Sequence, residues 1–393
     1  MTRDAMDATD QAHLSAGLAR ALQLATEHRN TPPPNPAVGC VLLDAHGQVL
    51  GQGHTQRAGA AHAEIMALDD ARTRGHSVLG ASACVTLEPC AHHGRTGPCC
   101  EALIQAGIAQ VFACQQDPNP LVSGQGFARL RAAGVRVSVL DARDALAQQA
   151  RALNIGFFSR MQRGTPWVRM KVAASLDGQS ALTNGNSQWI TSPEARTDGH
   201  AWRARACAVL TGIGTVLQDQ PLLDVRRVPC TRQPSLVIVD SGLQTPPQAP
   251  LFSVARKVLI YAARPDAERA AALQAQGAEV VYLPGATGAN GGDVKVDLAA
   301  LLRDLAQREI NEVHVEAGHK LNGSLLRTGL VDELLAYLAP KLLGLGQGMA
   351  NFGPLTTLDQ AVPLRFVSAE RVGPDLRIVA RAAASDTFCQ GFS

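Results

Sequence analysis

Lysine is nearly missing from this chain. Of 36 basic residues in 393 only five are lysine (Lys171, Lys257, Lys295, Lys320 and Lys341), and none precedes position 171. Basic and acidic residues balance to a net charge of +2, which argues against the basic stripe of a general nucleic-acid binder. Aromatic residues make up only 4%, too few to suggest a row of base-stacking platforms. No apolar run approaches the ~18–20 residues of a membrane span. The opening Met1-Thr-Arg-Asp-Ala-Met-Asp lacks the basic-then-apolar order of a secretion signal. Nine cysteines, an odd number, fit reduced thiols in a cytoplasm better than a disulfide scaffold. Neither nucleic acid nor membrane is therefore expected as a partner.

What the sequence does have is apolar residues, 46% against 18% charged, enough to fill the cores of two or three domains at this length. Leu14, Leu18, Leu22 and Ala25 recur at near-helical spacing, so residues 11–28 predict an opening amphipathic helix. The proline run 32–36 stops it and leads into a buried-strand pattern at 38–43. Further strands are expected at 82–87, 110–114 and 135–140, with helices at 63–73, 99–106 and 125–133 between them. Such alternation implies a layered α/β domain. The segment 141–162 reads as one more helix, and Gly164-Thr-Pro166 marks a boundary. Beyond it, strands are expected at 167–173, 207–210, 235–239, 257–261, 280–283 and 313–316, mostly separated by helical patterns, so the second domain is also α/β. The Gly/Pro-rich stretches 242–250 and 284–292 read as surface loops.

Three cysteines, Cys90, Cys99 and Cys100, crowd into eleven residues. His62-Ala-Glu64 opens a helical pattern, and Pro89-Cys90 follows a strand. One imidazole and two thiolates leave the fourth position of a tetrahedral zinc open, the composition of a catalytic rather than a structural site. Glu64 lies too near His62 to ligate comfortably beside it and is placed instead to carry protons. H-x-E followed by P-C-x-x-C is the signature of zinc-dependent nucleobase deaminases. Here eight residues, not two, separate the cysteines, and the longer loop His92-His-Gly-Arg95-Thr-Gly97 is rich in groups able to hold a phosphate. His92 or His93 could compete as ligands, and Cys100 could replace Cys99. Cys40, Cys84 and Cys114 lie in apolar strands and read as core.

The second half lacks a Gly-x-Gly-x-x-Gly after its first strand, so the standard dinucleotide fingerprint is absent. Two weaker glycine turns, Thr211-Gly-Ile-Gly-Thr215 and Glu316-Ala-Gly318, each follow a strand and open a helix. Backbone N–H groups at such turns can receive a pyrophosphate, although most are plain structural caps.

Taken together, these residues resemble a known family. Asn35-Pro-Ala-Val-Gly39, Ala61-His-Ala-Glu64, Thr86-Leu-Glu-Pro-Cys-Ala-His-His-Gly-Arg-Thr96 and Gln116-Asp-Pro-Asn-Pro120 are similar to the deaminase half of the bifunctional riboflavin-biosynthesis deaminase–reductases. Lys171-Val-Ala-Ala-Ser-Leu-Asp-Gly178, Ser187-Gln-Trp-Ile-Thr-Ser192 and Val315-Glu-Ala-Gly318 resemble the reductase half. The resemblance implies a cytidine-deaminase-like α/β/α domain over residues 11–150 and a dihydrofolate-reductase-like α/β domain over 164–386. It implies hydrolytic deamination of 2,5-diamino-6-(5-phosphoribosylamino)pyrimidin-4-one, then NADPH reduction of the ribosyl group of 5-amino-6-(5-phosphoribosylamino)uracil to ribityl.

Carried over by position, His62, Cys90 and Cys99 would bind zinc and Glu64 would shuttle the proton. Asn35 would contact the ring, and Arg95 is a candidate for the phosphate. Ala173, Trp189, Thr215, Asp219, Ser241 and the run Gly318, His319, Lys320, Leu321, Asn322, Gly323 and Ser324 would contact NADPH. Ser187, Arg203, Leu223, Arg226 and Glu316 would contact the phosphoribosyl substrate, the two arginines because a planar fork matches phosphate. Lys171 and Asp219 are the polar groups to test as acids in the reduction. The resemblance also favours a homo-oligomer. Two other readings stay open: a deaminase of nucleosides or tRNA, and a binding module built on a structural zinc.

Overall fold

Gly39-Cys-Val-Leu-Leu43 is buried at every position, as a strand must be when neighbours pair on both edges and helices cover both faces. In the computed structural model, which describes residues 8–31, 33–91, 97–120, 122–286 and 294–390, the chain divides into two units: residues 1–163 with the last five, and 164–388.

The first unit runs α1 (Ala8–Glu27), β1 (Gly39–Leu43), β2 (Val49–His54), α2 (Ala63–Thr73), β3 (Ser82–Val85), α3 (Cys99–Gln105), β4 (Gln110–Ala113), α4 (Gln125–Ala132), β5 (Arg136–Val139), α5 (Ala145–Leu153) and α6 (Ile155–Arg163). Its sheet has the order β2-β1-β3-β4-β5, antiparallel at β1 and parallel from β3 onward. Leu14, Leu18, Ala21 and Leu22 of α1 pack with Val41, Leu43, Cys84 and Phe112 into one core. Strand β2 was invisible to periodicity because two of its six residues are glycine, a residue depleted in strands. Gly53 is needed there: a Cβ would stand 2.6 Å from the Ala63 carbonyl oxygen, so its absence lets the start of α2 lie against the strand.

The single helix expected over 141–162 is two helices, broken at Asn154. The buried Asn154 amide accepts from the Ala37 N–H (2.7 Å) and donates to the Ala37 carbonyl (2.8 Å), replacing a strand partner for the segment that follows Asn35-Pro36. That tertiary demand decides the break.

The second unit continues with β6 (Trp167–Ser175), β7 (Gln179–Leu182), α7 (Pro193–Arg205), β8 (Ala208–Gly212), α8 (Ile213–Asp219), β9 (Ser235–Val239), β10 (Val258–Ala262), α9 (Ala267–Gln274), β11 (Ala278–Tyr282), α10 (Leu298–Gln307), β12 (Glu312–Val315), α11 (His319–Arg327), β13 (Glu333–Ala339), β14 (Gly346–Gly348), β15 (Leu364–Val372), β16 (Asp375–Ala382) and α12 (Ala383–Gln390). Nine strands form one sheet, β11-β10-β9-β8-β12-β6-β13-β16-β15. It is parallel from β11 through β13 and ends in an antiparallel hairpin.

Strands β13, β15 and β16 lie beyond the last strand the sequence suggested. Glu333-Leu-Leu-Ala-Tyr-Leu-Ala339 is built largely of good helix formers, and sheet context overrides that preference. The stretch 242–250 is only partly surface: Leu243, Thr245 and Ala249 are buried. The buried Asp240 carboxylate accepts from both the N–H and the hydroxyl of Thr245, folding that loop inward. Most of the second expected loop, residues 287–292 of 284–292, lies outside the described residues. Among the described residues no helix is long and apolar enough to cross a membrane.

Candidate active sites

Three elements of the first unit bring His62, Cys90 and Cys99 together. His62 caps α2, Cys90 follows β3, and Cys99 is the first residue of α3. Their donor atoms all lie within 4.8 Å of one another. His62 Nδ1 is 3.3 Å from Cys99 Sγ and 3.7 Å from Cys90 Sγ. Zinc bonds of ~2.0–2.3 Å in tetrahedral array require edges of about 3.5–3.8 Å, so this donor set fits zinc. The Cys99 N–H also donates to Cys90 Sγ at 3.4 Å, a charge-assisted bond to the thiolate form. Cys100 is not in the triad, which answers the alternative raised from sequence. His92, His93 and Arg95 lie outside the described residues.

The thiols are unequal: hydrogen bonding from Cys99, and then from His62, holds Cys90 far below the usual range despite its burial. Glu64, in the first turn of α2, is 4% exposed. Burial first, and the Cys90 charge second, push its carboxyl up to about 7.

Sequence reasoning missed Glu88. Its buried carboxylate accepts from the backbone N–H groups of Asp117, Gly124 and Phe127 at 2.9–3.2 Å. It thereby pins the turn carrying Pro89-Cys90 to the start of α4. Gly126 permits the contact, since a Cβ there would meet the Pro89 carbonyl oxygen at 1.9 Å. Nothing local in the sequence marks this role; the three N–H partners identify it as scaffold. Asp117 is likewise buried, and its carboxyl is pushed up to about 7, chiefly by burial.

In the second unit, Lys171 and Ala173 lie on β6, Thr211 and Gly212 end β8 and Ile213–Thr215 open α8, Ser241 follows β9, and Glu316–Gly318 follow β12. All stand at or near the carboxyl ends of parallel strands, where open α/β sheets bind ligands. The two glycine turns are neighbours: a Cβ on Gly318 would lie 3.7 Å from Thr215 Oγ1, and one on Gly212 would lie 3.1 Å from Leu321. Gly318 caps α11 without a side-chain hydrogen bond, and Thr211 Oγ1 is buried without a partner. This helix start without a side-chain cap, next to Thr215 and the end of β8, fits a phosphate-bearing cofactor. Ser241 Oγ accepts from the Val296 N–H at 3.3 Å.

Ser187 and the 61%-exposed Trp189 occupy the loop between β7 and α7, with the Arg196 guanidinium 4.4 Å over the indole. Gln218, next to the exposed Asp219 at the end of α8, donates to the Gly185 carbonyl at 2.8 Å, tying that loop to α8.

Arg203 departs from the simple expectation. It is buried, and its fork is occupied by Glu316 at 2.6 and 2.9 Å, with a further bond to the Asp224 carbonyl. A bidentate grip on phosphate would have to break that pair. Burial alone would raise the Glu316 carboxyl, but Arg203 and then Lys171 outweigh it and hold the group well below the usual carboxylate range. Burial lowers the Lys171 ammonium, with Glu316 opposing. Arg226 is far more open and pairs with Asp224, while its N–H donates to His200 Nδ1 at 3.3 Å. Leu223 is buried with φ 51°, and Arg256 donates to its carbonyl and to that of Leu222.

The model of the cytidine and deoxycytidylate deaminase zinc-binding region matches residues 12–115, and that of the RibD C-terminal domain matches 166–378. Riboflavin biosynthesis protein RibD of Escherichia coli is 42% identical over 368 residues, covering 91% of this chain and 96% of its own. The chain belongs to the RibD family. Among solved structures, Acinetobacter baumannii RibD superposes with a TM-score of 0.84 at 35% identity, covering 95% of this chain and 99% of that one. A Thermotoga maritima diaminohydroxyphosphoribosylaminopyrimidine deaminase/5-amino-6-(5-phosphoribosylamino)uracil reductase gives 0.82 at 30% identity, with the same coverage. As a RibD, the chain is an enzyme with a zinc-binding deaminase domain and a reductase domain, of cytidine-deaminase-like and dihydrofolate-reductase-like fold. Small-molecule substrates are consistent with that family.

Proposed function

We propose that this RibD performs two consecutive steps: hydrolytic deamination of 2,5-diamino-6-(5-phosphoribosylamino)pyrimidin-4-one, then NADPH reduction of the ribosyl group of 5-amino-6-(5-phosphoribosylamino)uracil to ribityl. The observation that carries the first step is the convergence of one imidazole and two thiolates beside a buried carboxyl. His62, Cys90 and Cys99 hold zinc, which when bound makes water available as a nucleophile near neutral pH. Glu64 takes a proton and returns it to the departing nitrogen as ammonia leaves. Asn35 stands, half-buried, just before the segment that Asn154 fixes and orients the ring. Sequestering zinc with a strong chelator is expected to cut ammonia release about a hundredfold or more. NADPH oxidation on the already deaminated intermediate continues in the same sample; loss of both together would refute the separate placement of the two chemistries.

In the second unit Ala173, Trp189, Thr215, Asp219, Ser241 and Gly318–Ser324 receive NADPH, which supplies the hydride. Ser187, Leu223, Arg226 and Glu316 hold the phosphoribosyl substrate, and Arg203 serves it by fixing the Glu316 carboxylate. Lys171 is the acid favoured for the reduction, since burial already weakens its hold on the proton; Asp219 is the second to test. Arg226→Ala is expected to raise KM for the phosphorylated substrate about tenfold or more, the worth of one charge-assisted contact. Deamination is unchanged in that variant, and unaltered reductase kinetics would remove Arg226 from the phosphate site.

The same reading makes the protein a cytoplasmic homo-oligomer, a state that sedimentation of the full chain tests. Supplying the diamino substrate with NADPH, and measuring ammonia and cofactor oxidation separately, tests the function as a whole.

A further inference from the structure

The segment 340–351, between β13 and β15, touches two elements to which the proposed function assigns substrate or cofactor, the Ser187–Trp189 loop and α11. Near its start, the Lys341 ammonium donates to the carbonyls of Ile190 (2.9 Å) and Trp189 (3.4 Å). The Asp177 carboxylate accepts from the N–H groups of Leu343 (3.1 Å) and Gly344 (2.8 Å), and the Leu176 N–H donates to the Lys341 carbonyl. The segment then pairs along β7 through β14. At its far end it docks on α11: Asn322 Nδ2 donates to the Met349 carbonyl at 3.0 Å, and the Asn351 N–H donates to the His319 carbonyl at 2.9 Å. Leu342 and Leu345 are 74% and 91% exposed, so apolar packing contributes little to holding the first half of this strap. Two charged side chains hold it instead.

We propose that Lys341 and Asp177 are positioning residues for the reduction, and that the strap they pin fixes the Ser187–Trp189 loop relative to the helix start at Gly318. The proposal rests on the reading of Trp189 and Gly318–Ser324 as cofactor contacts. Trp189 is braced from one side by Arg196, which stacks on its ring and donates to the Thr191 carbonyl at 2.7 Å. Lys341 braces its backbone from the other. Without Lys341 the loop samples other positions, and apparent affinity falls in proportion to the competent fraction.

The test uses the full-length enzyme and four variants, Lys341→Met, Lys341→Arg, Asp177→Asn and Trp189→Ala. Lys341→Met is expected to raise both KM and the dissociation constant for NADPH about tenfold. Its kcat stays within about twofold, the pattern of lost uniform binding, and deamination is unchanged. In the cofactor-free protein, acrylamide quenching of tryptophan fluorescence rises, because Trp189 is the exposed indole. Lys341→Arg restores all three readouts, and Asp177→Asn moves them in the same direction as Lys341→Met. If Trp189→Ala weakens NADPH binding while Lys341→Met changes neither binding nor quenching, the strap proposal is wrong and the cofactor reading stands. If neither variant affects NADPH binding, the reading of Trp189 falls and takes the proposal with it. A Lys341→Met protein that melts earlier and loses deamination as well has lost structure generally, which also overturns a positioning role.

Discussion

Glu64→Gln is expected to abolish ammonia release, by about 10²–10⁴-fold, the usual contribution of a positioned acid–base group, while zinc content and the melting curve stay close to those of the parent. The carboxyl lies in the first turn of the helix that His62 caps, 4% exposed and beside the two thiolates. Glutamine keeps its shape and occupies the same cavity, so neither the packing of α2 against β2 nor the three ligands are disturbed. What is lost is a group able to accept a proton and give it back. Reduction of the deaminated intermediate by NADPH in the same variant shows that the chain has folded. Near-native deamination in a zinc-loaded Glu64→Gln protein would exclude Glu64 from the mechanism.

Glu316→Gln carries the second large effect, and it divides between stability and chemistry. Its carboxylate takes the Arg203 fork at 2.6 and 2.9 Å in a buried setting. Removing one charge leaves Arg203 uncompensated, at a cost of about 3–5 kcal/mol for a pair of this kind. The second unit therefore melts earlier, and reduction falls by about 10²-fold or more as the substrate loses an oriented partner. The two consequences can be separated. In the double variant Glu316→Gln, Arg203→Met the arginine is no longer stranded, and Lys171 loses the repulsion of Arg203 along with the attraction of Glu316; replacing a buried pair with neutral side chains is often close to neutral for stability. Its melting temperature is expected to recover most of the loss while reduction stays low. Recovery of both would make the pair purely structural and remove Glu316 from the substrate site.

How much was legible differs between the two sites. The convergence of His62, Cys90 and Cys99 was legible as a candidate metal set, because zinc restricts ligands to a few residue types, and the position of Glu64 beside them followed from its spacing to His62. The choice of Cys99 over Cys100 was not, since both open the same helix and only three-dimensional proximity separates them. Arg203 illustrates the opposite limit. A lone arginine in sequence suggests phosphate, yet its partner Glu316 lies 113 positions away, just past β12, a strand that the sheet order places between β8 and β6. Glu88 shows the same limit in the first unit, its three N–H partners lying 29 to 39 positions on.

Local chemistry, then, was the part legible in the linear chain: alternating strands and helices, two α/β domains, and a candidate ligand set whose members are scarce residue types. Tertiary structure decided what partners the buried Glu88 and Glu316 carboxylates hold, where the 141–162 helix breaks, and that β13, β15 and β16 join the sheet. The reason is one of range. Propensity and spacing act over a few residues, whereas a buried charge, an amide serving as a strand partner or a strand made of helix formers is determined by groups that only folding brings near.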